Sequence, residues 1–388
     1  MEFKAGRKVK ATAPNGEVYF AFQPEPINKA LSWEDKRIDT LLEEARGWLG
    51  ELNAYSKLIP DVDFFIESHI AKEAEQSSRI EGTKTTLEEL YVDPEELDDS
   101  EKVDDQEEVK NYIKALNYTV GKIHTPREIP LSLRLVYEAH RMLLSGVRGY
   151  KRHPGEIRKI QNKIGGSTGT LKDATFIPPT PEAIPGLLSD LEKFWHNKEL
   201  EMPDLIKIAL AHYQFETIHP FEDGNGRIGR LIIVLQLMSY GMLQKPTLYL
   251  SDYFEKNRAA YYDALARVPE SGDIEQWLRF FLTGVATTAK RGKETLERII
   301  DLRKKYEELI DGHMGVRSQK LGKELLKHLF SKPVVTVKDV ETMLAVSKPT
   351  ANAIVNSLTE AKILKEKTGY SRNRIFVLHE YLDLFNNH

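Results

Sequence analysis

The sequence predicts a mainly α-helical protein: a helical core with a small β-hairpin flap, followed by a C-terminal winged helix-turn-helix domain. Three observations carry that expectation. Apolar residues recur at helical spacing through most of residues 110–300. A glycine-rich, β-branched stretch between Lys151 and Pro179 interrupts them. The last 72 residues alternate short helical and strand-like pieces and carry a net charge of +5, against −9 for residues 1–316.

The chain has 388 residues, with 55 Lys+Arg against 59 Asp+Glu, and its apolar fraction of 41% excludes a disordered or fibrous class. The net charge of −4 is too small to demand nucleic acid, an anionic membrane or an acidic substrate. With no Cys, disulfides, thiolate nucleophiles and Cys-based zinc sites are all excluded. Met1-Glu2-Phe3-Lys4 lacks the start of a signal peptide. The most apolar run, Leu231 to Met238, is far short of the ~18 residues of a membrane span. The expectation is a soluble, cytoplasmic protein.

Taken in order, residues 1–60 are mixed, with a helical pattern near Trp33 to Leu52. A stronger helix runs from about Asp63 to Glu81 (Phe64, Phe65, Ile66, Ile70, Ala74) and stops at Gly82. Glu88 to Glu108 holds 12 Asp/Glu and one Lys, which reads as a solvated loop. The helix that begins at Pro203 must end before Pro220, and a second helix resumes at Arg227 with Ile228, Leu231, Ile232 and Leu235 on one face. Near the C-terminus, helices at Lys320 to Phe330 and up to Leu344 precede a turn. Ser347 there is the expected N-cap of a helix with Pro349 in its first turn. Ile363 to Lys365 and Arg374 to Leu378, joined through Gly369, complete the winged pattern. The expected units are 1–115, an N-terminal helical region containing the helix at about 63–82; 116–300, the core; 301–316, a linker helix; and 317–388, the winged helix.

The string His219-Pro220-Phe221-Glu222-Asp223-Gly224-Asn225-Gly226-Arg227-Ile228-Gly229-Arg230 carries the chemistry. Gly224 and Gly226 let the backbone turn sharply and aim several N–H groups at one point, at a helix N-terminus that favours anions. Arg227 and Arg230 are three apart and therefore neighbours on the first turn. His219 can accept a proton near neutral pH, and Asp223 can hold Mg²⁺ together with substrate phosphates. A cation, amides, guanidinium groups and a base on one loop point to nucleotide chemistry at phosphorus.

This string resembles the Fic-family signature HPFxDGNGRxxR at every specified position. The resemblance implies a helical domain that transfers AMP from ATP to a Tyr, Thr or Ser hydroxyl of a target protein, or of itself, and releases pyrophosphate. His219 would be the base, and Asp223 the Mg²⁺ ligand. Gly224, Asn225 and Gly226 would cradle the phosphates, Arg227 would meet the β-phosphate and Arg230 the γ-phosphate. Ile228 and Gly229 are carried into the nucleotide site with them. Pro154 to Arg158, Gln161 to Gly166 (with Asn162, Lys163, Ile164 and Gly165) and Phe176 to Pro179 resemble the family's flap. Leu248 to Ser251, with Asn257, Tyr261 and Tyr262, resembles its adenine and ribose wall, although Pro269 stands where a related member type has Asn.

Ser77-Ser78-Arg79-Ile80-Glu81-Gly82 matches the family's inhibitory pattern Ser/Thr-x-x-x-Glu-Gly/Asn. Ser77 and Glu81 fill the two specified positions of that pattern, and the Glu81 carboxylate would occupy Arg230 and deny it to the γ-phosphate. The implied partners are ATP, Mg²⁺ and a hydroxyl-bearing target protein, with DNA or a protein on the winged helix, a homodimer as a family-level expectation, and no membrane. The alternatives are a nucleotide-sensing DNA-binding regulator, or a Fic enzyme that removes AMP or moves another phosphate-containing group. A zinc site on His212 and His219 lacks a third ligand at metal spacing.

Overall fold

The computed structural model describes residues 3–58, 62–96, 100–123, 130–147, 152–166, 168, 170–367 and 374–386. It opens with a hairpin absent from the sequence expectation. Strands β1 (Gly6–Thr12) and β2 (Val18–Pro24) pair antiparallel, Gly6 opposite Pro24 and Thr12 opposite Val18. Pro14-Asn15-Gly16 between alternating runs is its sequence signal, with Gly16 at φ 84°. The hairpin leans on the flap: Phe22 N–H donates to the Ile177 carbonyl at 2.8 Å and the Phe22 and Phe176 rings lie 5.6 Å apart.

Helix α1 (Arg37–Leu58) buries Ile38, Leu42, Ala45, Leu49 and Leu52, a stripe of helical period. Helix α2 (Val62–Ile80) matches the helix expected to end at Gly82, and buries Ile66, Ile70 and Ala74. The side chains of Phe64 and Phe65 lie outside the described residues. The acidic run is not the expected solvated loop. After 3-10 turns at Glu89–Tyr91 and Pro94–Glu96, it enters helix α3 (Ser100–Ile123), where Asp105, Gln106 and Glu108 are buried. The apolar stripe Val109, Tyr112, Leu116, Ile123 extends backwards onto those polar residues, so packing overrides composition.

Helix α4 (Leu133–Leu143) begins at Ser132, whose Oγ accepts from Leu135 N–H. Helix α5 (Ile184–His196) follows the flap. Helices α6 (Asp204–Ile218) and α7 (Asn225–Ser239) are buried on nearly every face, as befits the centre of a helical core. Helix α8 (Ser251–Lys256) and helix α9 (Arg258–Ser271) lead into α10 (Ile274–His313). At 40 residues α10 is ~60 Å long, packing on α1 and α6 early and on the C-terminal elements late. The expected boundaries at 115/116 and 300/301 fall inside the continuous helices α3 and α10.

The C-terminal module comprises α11 (Val316–Leu329), β3 (Val334–Thr336), α12 (Val337–Leu344), α13 (Lys348–Glu360), β4 (Lys365–Glu366) and β5 (Ile375–Val377), with strand order β3-β5-β4. Gly369, through which β4 and β5 were expected to join, lies outside the described residues, as do Lys151, Ser167 and Gly169 of the flap. Ser347 stands at the N-cap of α13 with Pro349 in the first turn, as expected, but its hydroxyl meets that of Thr350 at 3.0 Å rather than a backbone N–H. A final helix, α14 (His379–Asn386), was also not expected, and it packs back on α10. No helix among the described residues is long and apolar enough to cross a membrane.

Candidate active site

The loop between α6 and α7 is held by its own side chains. Asn225 grips the main chain of Phe221 twice: its Oδ1 accepts from Phe221 N–H at 2.8 Å, and its Nδ2 donates to the Phe221 carbonyl at 2.9 Å. Phe221 is fully buried and stacks on His140 with centroids 3.7 Å apart. Gly155 N–H donates to His140 Nδ1, so the proton sits on Nε2, which donates to the Asp223 carbonyl at 2.9 Å. Burial holds that imidazole down at about 4, hence neutral. Gly224 adopts φ 77°, a conformation that favours glycine, and a Cβ there would lie a tight 3.1 Å from Leu143 Cδ2.

Arg158 ties the flap to this loop. Its Nε donates to the His219 carbonyl at 2.9 Å, Nη1 to the Ile160 carbonyl at 3.1 Å and Nη2 to the Pro179 carbonyl at 2.5 Å. Its own N–H donates to the Pro220 carbonyl. Asn162 adds a donation from Nδ2 to the Phe221 carbonyl at 3.1 Å.

His219 ends α6 in the left-handed region, at φ 49° and ψ 60°. Its Nδ1–H donates to the Glu216 carbonyl at 3.3 Å, which leaves Nε2 as the lone-pair nitrogen. Burial lowers its pKa to about 4, so at pH 7 the ring is neutral and keeps its lone pair on Nε2. Asp223 is nearly half exposed (47%), with Oδ1 accepting from Gly224 N–H. That leaves its second oxygen for a hard cation with few protein ligands. Among the described residues no cluster of three His, Asp or Glu could hold a metal alone. His212 is no zinc ligand: its Nδ1–H donates to the Gly229 carbonyl, and Tyr261 O–H donates to its Nε2.

The two arginines are already paired. Arg227 Nη1 donates to Glu108 Oε2 at 3.1 Å, and its Nη2 lies 3.6 Å from Asp223 Oδ1. Arg230, 2% exposed, donates from Nε to Ser77 Oγ at 2.9 Å, and from Nη2 both to the Ser77 carbonyl at 2.8 Å and to Glu81 Oε1 at 2.7 Å. Burial works to raise the Glu81 pKa, but Arg230 outweighs it and the carboxylate stays below its ordinary range. A Cβ on Gly226 would lie 2.3 Å from Glu81 Oε1. The carboxylate therefore rests against the first turn of α7, on the helix end that attracts anions.

The structure brings His219, Asp223, Gly224, Gly226, Arg227, Arg230, Ser77 and Glu81 together. Other sequence candidates have structural employment. Asn225 clamps the loop, Ile228 is buried in the core, and the Gly229 backbone packs on Glu216 and His212. Lys163 pairs with Asp173 at 2.6 Å, Ile164 bridges to Phe176, and Gly165 at φ 70° leaves room for Thr175. Asn257 Nδ2 donates to the Tyr253 carbonyl, and Tyr261 is 1% exposed within a stack on Phe254. Tyr262 is 40% exposed and lies within electrostatic reach of Glu81 and Arg230. Tyr261 is thus core, because its hydroxyl is taken by His212.

Sequence reasoning missed Glu108, His140 and Glu216, and it named Arg158 as part of the flap without its tie to the His219 loop. Glu216 Oε1 is buried with no partner among the described residues, and burial raises that carboxyl to about 8, so it is largely protonated at neutral pH. Only Glu108 carried a signal, one turn before Tyr112 on the buried stripe of α3.

Residues 40–121 match the model described as Fic/DOC family N-terminal, and residues 130–237 the model described as Fic/DOC family. A protein adenylyltransferase Fic of Aedes aegypti is 32% identical over 151 residues, covering 39% of this chain and 27% of the relative. That of Culex quinquefasciatus is 35% identical over 152 residues, with the same 39% and 27% coverage. The chain therefore spans about a quarter of the length of these curated relatives. Among solved structures, a Fic family protein from Desulfovibrio desulfuricans G20 shares the fold at TM-score 0.55 and 18% identity, over 90% of this chain and 98% of that one.

Proposed function

Since the chain belongs to the Fic/DOC family through residues 40–121 and 130–237, we propose that it is an auto-inhibited protein adenylyltransferase. Its substrates are ATP and a target protein with a Tyr, Thr or Ser hydroxyl. The neutral His219 takes the hydroxyl proton on Nε2. The oxygen then forms a bond to the α-phosphorus while the bond from that phosphorus to the bridging oxygen breaks, and pyrophosphate leaves with the electron pair. The first-turn amides of α7 and the guanidinium groups of Arg227 and Arg230 hold the phosphate charge. Arg227 Nε, buried without a partner among the described residues, is a donor that a phosphate oxygen would satisfy. Magnesium on the open oxygen of Asp223 would supply charge neutralisation between the phosphates.

The observation that carries this reading is the grip of Ser77 and Glu81 on Arg230, over Gly226 and beside a base with an open nitrogen. An inhibitory contact on the outer guanidinium makes sense only where that group has a phosphate to hold. A DNA-reading role finds less support. Lys348 and Asn352, at the start of α13, face a cleft of about 1250 Å³ in which the cations Lys110, Lys332, Lys338, Lys348 and Arg374 are nearly balanced by Asp93, Glu95, Asp339 and Glu341, without the cationic excess a phosphate backbone needs. The test uses α-labelled ATP and cell lysate. Label should enter protein with Glu81→Gly and vanish with Glu81→Gly/His219→Ala; label surviving in the double variant would overturn the assignment of the base.

A further inference from the structure

Helix α2 carries the inhibitory residues at one end and is gripped by the C-terminal module at the other. Ser68, fully buried, donates from Oγ to the Phe330 carbonyl at 2.9 Å, and Ser331 Oγ hydrogen-bonds the Glu67 carboxylate. His69 meets the Phe385 ring of α14 edge-on, with centroids 5.0 Å apart. The Phe330 carbonyl also accepts from Tyr381 O–H at 3.0 Å, and Tyr381 packs edge-on against both Phe330 and Phe385. One aromatic cage of the module therefore seats the Glu67–His69 turn.

The same module holds the chain again beyond the inhibitory turn, where Lys367 pairs with Glu88. Ser77 and Glu81 thus lie between two anchors on one module. Between Ser68 and Ser77 the helix is unbroken for nine residues, about 13.5 Å. Midway, the fully buried Glu73 accepts from Tyr112 O–H at 3.0 Å and Ser251 Oγ at 2.5 Å, so α2 seats as one piece rather than turn by turn. Withdrawing Ser77 from Arg230 by a movement of α2 therefore requires the buried seam at Glu67–His69 to give way, since the Lys367–Glu88 pair is exposed and holds weakly.

We propose that the C-terminal module is the latch of the inhibitory helix: displacing Phe330, Ser331 and α14 from the Glu67–His69 turn releases Ser77 and Glu81 from Arg230. The proposal rests on the auto-inhibition reading above and adds where release begins. A partner of the module acts on the active site by preferring the state in which α2 is unseated, and only through that difference in affinity.

The experiment compares full-length wild type, Ser68→Ala/Phe385→Ala, Glu81→Gly and the triple variant, measuring incorporation from α-labelled ATP and hydrogen exchange of the α2 amides. The seam variant should exceed wild type by about fivefold or more, a typical coupling size, with faster exchange along residues 68–80. It should add nothing in the Glu81→Gly background, where the latch has no bolt left to hold. If Glu81→Gly is activated while the seam variant labels and exchanges like wild type, the latch is overturned and auto-inhibition stands. If Glu81→Gly labels no more than wild type, auto-inhibition fails and the latch falls with it. Extra activation by the seam substitutions on top of Glu81→Gly would also overturn the latch, because the effect would not run through Arg230.

Discussion

Glu73 makes the seating of α2 sensitive to pH. It is 2% exposed, and burial raises its carboxyl to about 7, against the partial offset of Ser251, Arg230 and Tyr112, which stabilise the anion. Were α2 to withdraw, Glu73 would return towards about 4.3. The seated state then binds the proton more tightly. Seating is therefore favoured at low pH and weakens as pH rises through 7. Between pH 6 and pH 8 those two values shift the seated-to-unseated ratio by about tenfold, or ~1.4 kcal/mol. The assay is the wild-type labelling rate divided by that of Glu81→Gly at each pH. The division removes the pH dependence common to both proteins, and Glu73→Gln, which keeps Glu81 beside His219 and Glu216, controls for the rest. The ratio should climb about tenfold from pH 6 to pH 8 in the wild type and stay flat in Glu73→Gln, whose amide cannot titrate. An equal climb in Glu73→Gln would refute the reasoning, since the charge would then arise elsewhere.

Two further substitutions test the loop and the inner arginine. Asn225→Ala strips Phe221 of two of its main-chain partners. It should cost about 1–3 kcal/mol in thermal unfolding and, in the Glu81→Gly background, about 100-fold in labelling rate through misplacement of the loop. Glu108→Ala leaves Arg227 without its 3.1 Å partner. The free protein should lose about 3 kcal/mol as for a broken buried pair, and ATP should raise its melting temperature more than that of the wild type, because phosphate replaces the missing carboxylate.

The site was legible where chemistry is contiguous. His219 to Arg230 folds back on itself within one turn and one helix start, so spacing alone placed base, cradle and arginines side by side. Ser77 and Glu81 were legible for a second reason, lying four apart at a helix end marked by Gly82. What stayed hidden depends on partners distant in sequence. Glu108 reaches Arg227 across 119 residues, and Arg158 reaches the His219 carbonyl across 61. The acidic run disguised Glu108, because its charges suggest solvent while the stripe from Val109 to Ile123 turns that face of α3 inward. Helix α14 escaped notice because eight residues with Tyr381, Leu382 and Phe385 form a helix only by packing on the aromatic cage.

On the proposed reading, Gly226 sets Glu81 against the tail of the nucleotide rather than against the nucleotide as a whole. An amide-lined helix start with no side chain at its second residue leaves a recess, which Glu81 Oε1 now enters to within 2.3 Å of the missing Cβ. A phosphate oxygen has the same charge preference and the same donors available to it: the α7 amides and the Arg230 fork. The carboxylate is a partial anion mimic carried on the protein's own helix, and it reaches Arg230 but not the full length of a triphosphate. Arg227, already turned to Glu108 and Asp223, remains able to meet part of that chain. The expected inhibited state thus retains nucleotide with its tail misdirected. Glu81→Gly should accordingly raise the labelling rate far more than it lowers the Kd for ATP, and calorimetry beside the labelling assay separates the two. An affinity gain as large as the rate gain would mean that Glu81 excludes the nucleotide altogether.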